Sequence, residues 1–118
     1  MIHTAKAHDV VKGDAKVTGK SVLVDRLWPR GISKDDLAPD YWLKDVAPSP
    51  ELRKWWNHDA DSFDEFSKRY KSELDANEAE DMENLRRLAD KGAVTLIFAA
   101  KDREVNHATV LKDWLDAQ

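Results

Sequence analysis

Ser21-Val22-Leu23-Val24-Asp25-Arg26-Leu27 and Val94-Thr95-Leu96-Ile97-Phe98-Ala99-Ala100 decide the fold. In each, apolar side chains follow one another rather than alternate. Such runs suit strands buried on both faces, and strands of that kind belong to parallel sheets. Charge and then Trp28-Pro29-Arg30-Gly31 close the first run, with Pro29 and Gly31 as strand terminators. Working outward, Ile2 to Lys6 alternates poorly and reads as a third, short strand. Asp9 to Lys20 is polar, holds Gly13 and Gly19, and reads as a loop or hairpin-like excursion.

Between the two runs the chain reads as helical in pieces. Ser33 is a cap for a short helix bearing Leu37, Tyr41 or Trp42, and Val46, interrupted by Pro39 and stopped by Pro48. Ser49-Pro50-Glu51 combines a cap, a first-position proline and an acidic first turn. It predicts a helix through Leu52, Trp55 and Trp56 to about Asn57-His58; the adjacent tryptophans cannot both face inward. Asp61 is the cap expected for the next helix, with Phe63, Phe66, Tyr70 and Leu74 at spacings of three and four. Another runs from about Glu78 to Lys91, with Ala79, Met82, Leu85, Leu88 and Ala89 inward and Gly92 in the left-handed position after its end. Asn106 caps the last, which carries Val110, Leu111, Trp114 and Leu115. Parallel strands need crossover connections, and helical stretches separate these strands. The expected fold is α/β: a small, mostly parallel sheet of about three strands covered by helices, three layers in one domain over residues 1–118.

Composition narrows the function classes. The 118 residues are 42% hydrophobic and 36% charged, enough for one modest core beneath a charged surface. A chain of this size buries roughly two-thirds of its unfolded surface and folds without staples. There is no cysteine, which excludes disulfides, a thiolate nucleophile and Cys-bearing metal sites. His3, His8, His58 and His107 lack metal-ligand spacing, and no phosphate-loop motif surrounds Gly13 and Gly19, so neither metal nor cofactor is expected. With 19 Lys plus Arg against 23 Asp plus Glu, the net charge of −4 argues against a grip on nucleic acid. No run is long enough to span a bilayer, and Met1-Ile2-His3-Thr4 does not open a signal peptide, so the cytosol is the expected compartment and no membrane the expected partner. The oligomeric state stays open.

Ligands of open parallel sheets collect beyond the carboxyl ends of the strands. The first run ends there in Asp25-Arg26 and continues to Trp28 and Arg30; the second ends in Lys101-Asp102 and reaches Asn106-His107 at a helix start. If the two tips share a crevice, Arg26, Arg30 and Lys101 bind a small anion, Asp25 or His107 handles a proton, and Asn106 orients the ligand. Asp102 lies in the same crevice and Trp28 can stack on a planar ligand. Plainer readings stand beside these: Asp25 and Arg26 paired with charges on covering helices, Arg30 capping a helix carbonyl, and Lys101 and Asp102 as solvated loop charges. Asn106 reads equally as a helix cap, and His107 as a packed, hydrogen-bonded residue. The remaining tryptophans read as core.

Val24-Asp25-Arg26-Leu27-Trp28-Pro29-Arg30-Gly31, Ala47-Pro48-Ser49 with Glu51-Leu52-Arg53-Lys54-Trp55, then Phe66, Arg69-Tyr70 and Glu73-Leu74, then Thr95-Leu96, Ala100-Lys101-Asp102, Asn106-His107-Ala108 and Leu111, form a specific pattern. It resembles the YeaO-like branch of domain-of-unknown-function family 488 (DUF488), over nearly the whole chain after about residue 20. The resemblance implies a small α/β/α domain without an established activity. More distant branches carry a Cys-His-Arg-like motif where this chain has Asn106-His107-Ala108, so thiol chemistry there does not transfer.

Two functions of different class follow. One is a small enzyme acting on an anionic, phosphorylated or nucleotide-like metabolite. The other is a non-catalytic module that binds a ligand or a protein with the same crevice. A deep pocket favours the enzyme; a fully paired Asp25 and His107 favour the module.

Overall fold

Val22 to Val24 and Val94 to Phe98 are buried on both faces of the sheet, which is why these two stretches read as unbroken apolar runs. The computed structural model describes residues 1–118. Its sheet has four strands, all parallel, in the order β1-β4-β2-β3. They are β1 (Ile2–Lys6), β2 (Lys20–Leu23), β3 (Tyr41–Trp42) and β4 (Val94–Phe98). Val22, Val24, Leu96 and Phe98 turn to one face. There they meet α3 (Pro50–Trp56), α4 (Phe63–Ala76), α5 (Glu80–Lys91) and α6 (His107–Asp116). Leu23 and Ile97 turn to the other face, under α1 (Ala7–Lys12) and α2 (Lys34–Leu37). The result is three layers, with the larger core on the four-helix side.

The small parallel sheet covered by helices is as expected, with four strands where the sequence predicts about three. Several other expectations change. The expected loop from Asp9 to Lys20 begins inside α1, which follows β1 without a break and ends at Gly13 in the left-handed conformation (φ 81°). Ala7 and Val10 hold that short helix on the sheet, a tertiary contact too brief to show as periodicity. Gly19 (φ 71°) carries the chain past Ala93, where a Cβ would lie 2.0 Å from the Ala93 carbonyl oxygen. The expected helix from Leu37 to Val46 is instead the end of α2, then β3, then a 3-10 turn over Lys44–Val46. Ala38 at φ 36° stops α2, and the Leu43 amide bonds the Leu23 carbonyl, drawing this segment to the sheet edge.

The two deciding runs are strands, yet both stop earlier than expected, at Leu23 and Phe98. Pro29 and Gly31 therefore do not end β2. Asp59, not Asp61, caps the turn that leads into α4, and α4 itself begins at Phe63. Helix α5 begins at Glu80, and Gly92 is extended (φ 172°) rather than left-handed. The Ser49 cap holds, its hydroxyl accepting from the Leu52 amide at 3.2 Å. Trp56 is buried while Trp55 stays exposed with the Arg69 guanidinium over its ring. No helix is long and apolar enough to cross a membrane.

The connections position the site. From β2 the chain leaves toward α2 on one face; from β4 it leaves toward α6 on the other. Adjacent parallel strands that exit to opposite faces leave a crevice between their carboxyl ends.

Candidate functional site

The last backbone rung between β2 and β4 is the Val24 amide on the Ile97 carbonyl, at 3.0 Å. A side chain makes the next one: Asp25 Oδ2 accepts from the Ala99 amide at 2.9 Å. Asp25 thus ties the two strand exits together just where the chains part. His107 arrives from the other direction as the first residue of α6. Its place is set by Asn106, fully buried, whose Oδ1 accepts from the Thr109 amide at 3.0 Å and whose side-chain amide donates to the Asp102 carbonyl at 3.0 Å.

The imidazole of His107 meets β2. Its Nε2 lies 3.1 Å from the Val24 carbonyl oxygen and 3.0 Å from Asp25 Oδ1. Both neighbours are acceptors, so the hydrogen is assigned to Nε2. It points to the Val24 carbonyl; Asp25 Oδ1 stands close but off the N–H axis and receives no hydrogen bond within the protein. Arg26, the next residue, is held loosely. Its Nη2 reaches the Ala47 and Pro48 carbonyls only at 3.4 and 3.5 Å, Nη1 lies 3.7 Å from Asp45, and the buried Nε has no protein partner. Tyr70, fully buried, steadies that segment by donating to the Val46 carbonyl at 2.6 Å. Burial pushes its phenol well above the ordinary range.

Asp25, Arg26 and His107 line a cavity of about 210 Å³ together with Arg53, Trp56 and His58. Ala47, Pro48, Phe66, Ala99 and Ala100 complete its wall. Trp56 stacks on Phe66 with ring centroids 4.0 Å apart, a rigid aromatic side to the hollow. Arg53, one turn before the end of α3, is exposed, and its guanidinium makes no hydrogen bond or ion pair within the protein. Asn57 and His58 follow in consecutive left-handed conformations (φ 48° and 56°), and the His58 ring lies 5.0 Å from the Trp56 ring. His58 is exposed as a residue, yet partial desolvation of its ring first, then the Arg53 guanidinium and His107, hold it below the ordinary 6.5 of an imidazole. No three His, Asp or Glu side chains converge closely enough to hold a metal ion.

The two tips therefore meet, though not with every expected residue. Asp25, Arg26 and His107 share the cavity. Lys101 and Asp102 line a neighbouring hollow instead, and Asn106 lies beneath as the cap of α6. The Asp102 carboxylate accepts from the Glu104 and Val105 amides at 2.8 and 2.9 Å, which hold its pKa below the usual carboxylate range. Trp28 packs on the thin face: its indole donates to the Ile32 carbonyl at 2.7 Å and meets Trp42 edge-on at 5.5 Å. Arg30 is exposed and outside the cavity, without a protein partner. Arg53, Trp56, Phe66 and His58 went unmarked as site residues. Arg53 and Phe66 do lie in the blocks that carry the family resemblance, which was the available signal.

A three-layer parallel α/β domain, with a polar cavity where two central strands diverge, is the class of protein that fold and site define. The chain belongs to the DUF488 family, in its YeaO-like branch. The family model described as "DUF488-N3i: Inactive DUF488-N3 subclade" matches residues 1–118, and so takes in the first strand as well. The uncharacterized protein YeaO of Escherichia coli K12 is 46% identical over 97 residues, which cover 82% of this chain and 84% of YeaO. The uncharacterized protein Rv3073c of Mycobacterium tuberculosis H37Rv is 40% identical over 117 residues, 99% of this chain and 95% of the relative. No solved structure matches at a significant level.

Proposed function

We propose that this chain is a non-catalytic binding module for a small anionic metabolite, phosphorylated or nucleotide-like, taken up in the cavity between β2 and β4. One observation carries the reading. Two adjacent residues of the cavity wall each keep a buried atom without a protein partner: the donor Nε of Arg26 and the acceptor Oδ1 of Asp25. A buried polar atom left so costs about 1–3 kcal/mol. A phosphoryl or carboxylate group offers acceptors to Arg26 and Arg53, and a protonated phosphoryl oxygen offers a hydrogen to Asp25 Oδ1. Two guanidiniums against one carboxylate leave the hollow favourable to an anion.

The non-catalytic part of the reading rests on how Asp25 and His107 are already used. Asp25 Oδ2 supports the Ala99 amide and His107 donates to the Val24 carbonyl, so both serve the fold; Asp25 is only half paired, and its free Oδ1 is the part of the pair left to a ligand or to the enzyme reading. The word "Inactive" in the matching family's description points the same way. A second reading, an enzyme acting on the same anion, draws on the 3.0 Å separation of His107 Nε2 and Asp25 Oδ1.

Thermal unfolding with phosphate, nucleoside monophosphates and small carboxylates tests the proposal. A ligand at a hundred times its Kd stabilises by about 2.7 kcal/mol and raises Tm visibly. Arg53→Ala is expected to weaken that ligand about tenfold while leaving the unliganded Tm in place, because its guanidinium has no partner in the protein. If none of these anions moves Tm, the binding reading fails. Turnover of a bound ester that His107→Gln abolishes would transfer the site to the enzyme reading.

A further inference from the structure

The cavity does not end at His58. A second hollow, about 480 Å³, lies against it and shares His58, Ala99 and Ala100 with the first. The partition is one imidazole, set there by the paired left-handed conformations of Asn57 and His58, and the common wall is two alanines at the exit of β4. Beyond the partition the chemistry changes. Ala60 and Val105 replace the arginines, and the only charges are Lys101 and Asp102, of opposite sign. Asp102 already serves the Glu104 and Val105 amides, and its negative charge opposes a second anion in this lobe. The apolar surface of Ala60, Ala99, Ala100 and Val105 suits carbon rather than hydroxyl groups.

Resting on the anion reading above, we infer that the two hollows form one bipartite site for an amphiphilic anion. Its charged group lies with Arg26 and Arg53, and an apolar, ring-sized body crosses beside His58 into the lobe of Ala60, Ala99, Ala100 and Val105. The ligand class is then an aryl- or alkyl-bearing phosphate or carboxylate with one anionic end. A compact inorganic anion fills half the site, and a sugar phosphate places hydroxyls where the wall offers carbon.

Calorimetric titration of the full chain with inorganic phosphate, phenyl phosphate and ribose 5-phosphate decides it. Phenyl phosphate is expected to bind about tenfold tighter than inorganic phosphate, from apolar surface removed from water, with ribose 5-phosphate gaining nothing. Ala60→Trp, an exposed position on the 3-10 turn Ala60–Ser62, fills the second lobe. It should erase the phenyl advantage and leave inorganic phosphate binding as it was, which also reports that the variant is folded. Equal binding of phenyl and inorganic phosphate, a preference for ribose 5-phosphate, or a phenyl advantage that survives Ala60→Trp overturns the bipartite site while the anion reading stands. If none of the three binds, the anion reading falls and the second lobe goes with it.

Discussion

On its β1 side, the end of β4 lies under a strap of surface contacts. Lys6 Nζ donates to the Lys101 carbonyl at 3.0 Å, and Arg103 clasps both carboxylate oxygens of Asp9 at 2.7 and 2.8 Å. On its β2 side, the same strand end opens on the cavity of Asp25, Arg26 and His107. The topology treats the two flanks alike: β1 and β2 both lead to helices on the thin face, whereas β4 leads to α6 on the thick one. What separates them is the chain beyond each strand. Strand β1 runs straight into α1, so Lys6 and Asp9 stay close enough to close the gap. Strand β2 is followed by an irregular stretch before α2, and that stretch leaves Asp25 and Arg26 facing α3 and α6 across open space. A strand divergence permits a pocket; the length and polarity of the next few residues decide whether one exists.

Asp25→Ala should break this contrast most severely. It strips the Ala99 amide of its acceptor at a position only 14% exposed. We expect a loss of about 2–3 kcal/mol in urea unfolding. Asp25→Asn, which keeps an oxygen for that amide, should lose less than half as much. A negligible cost for Asp25→Ala would mean the strand exits hold together without it. Asn106→Ala comes next, at about 1–2 kcal/mol, since a buried cap loses its bonds to Thr109 and Asp102. Its anion affinity should fall too, because His107 is placed by that cap; unchanged affinity would separate the helix start from the cavity.

How much of this could be read in advance follows from the range of the forces involved. The apolar runs at Val22 and Leu96 announced buried parallel strands because burial on both faces acts on every residue of the run. Ser49-Pro50 announced α3 and Asn106 announced α6, since a cap is a local hydrogen bond. Strand β3 was not legible, as two residues carry no period and partners distant in sequence place them: Ser21 on Asp40, the Leu23 carbonyl on the Leu43 amide, and the Asp25 carbonyl on the Trp42 indole. Within the site, Asp25 and His107 stand at the tips of readable elements. Arg53 and His58 enter the cavity only through the packing of α3 on α4, which the order of residues does not display. Trp28 went to the other face because its indole found the Ile32 carbonyl, a contact four residues away that no pattern marks.

A smaller effect sharpens the contrast through pH. The folded protein holds His58 below 6.5, so the unfolded chain binds its proton more readily. Stability from this group is therefore present above pH 6.5 and declines as pH falls below it. His58→Gln should flatten that part of the stability profile. An anion beside Arg53 offsets the same repulsion and raises the His58 pKa, so its binding should tighten on acidification from pH 7 to 6 in wild type and lose that dependence in His58→Gln. An identical pH profile in the variant would place the bound anion away from His58.

The smallest effect belongs to the closed flank. Arg103 is 64% exposed, and its pairing with Asp9 holds that carboxyl below 3.8, so any stabilisation from the pair persists above that pH and fades below it. Solvent screens such a pair, and exposed ion pairs of this kind contribute little. Arg103→Ala at pH 7 should therefore leave both the urea midpoint and the anion Kd where they were. The double result matters because Arg103 lies in the segment between β4 and α6, the same connection that delivers His107 to the cavity. If the strap only covers the gap, cutting it changes neither number. If the anion Kd moves while the midpoint does not, the closed flank sets the position of His107, and the two sides of β4 act as one unit.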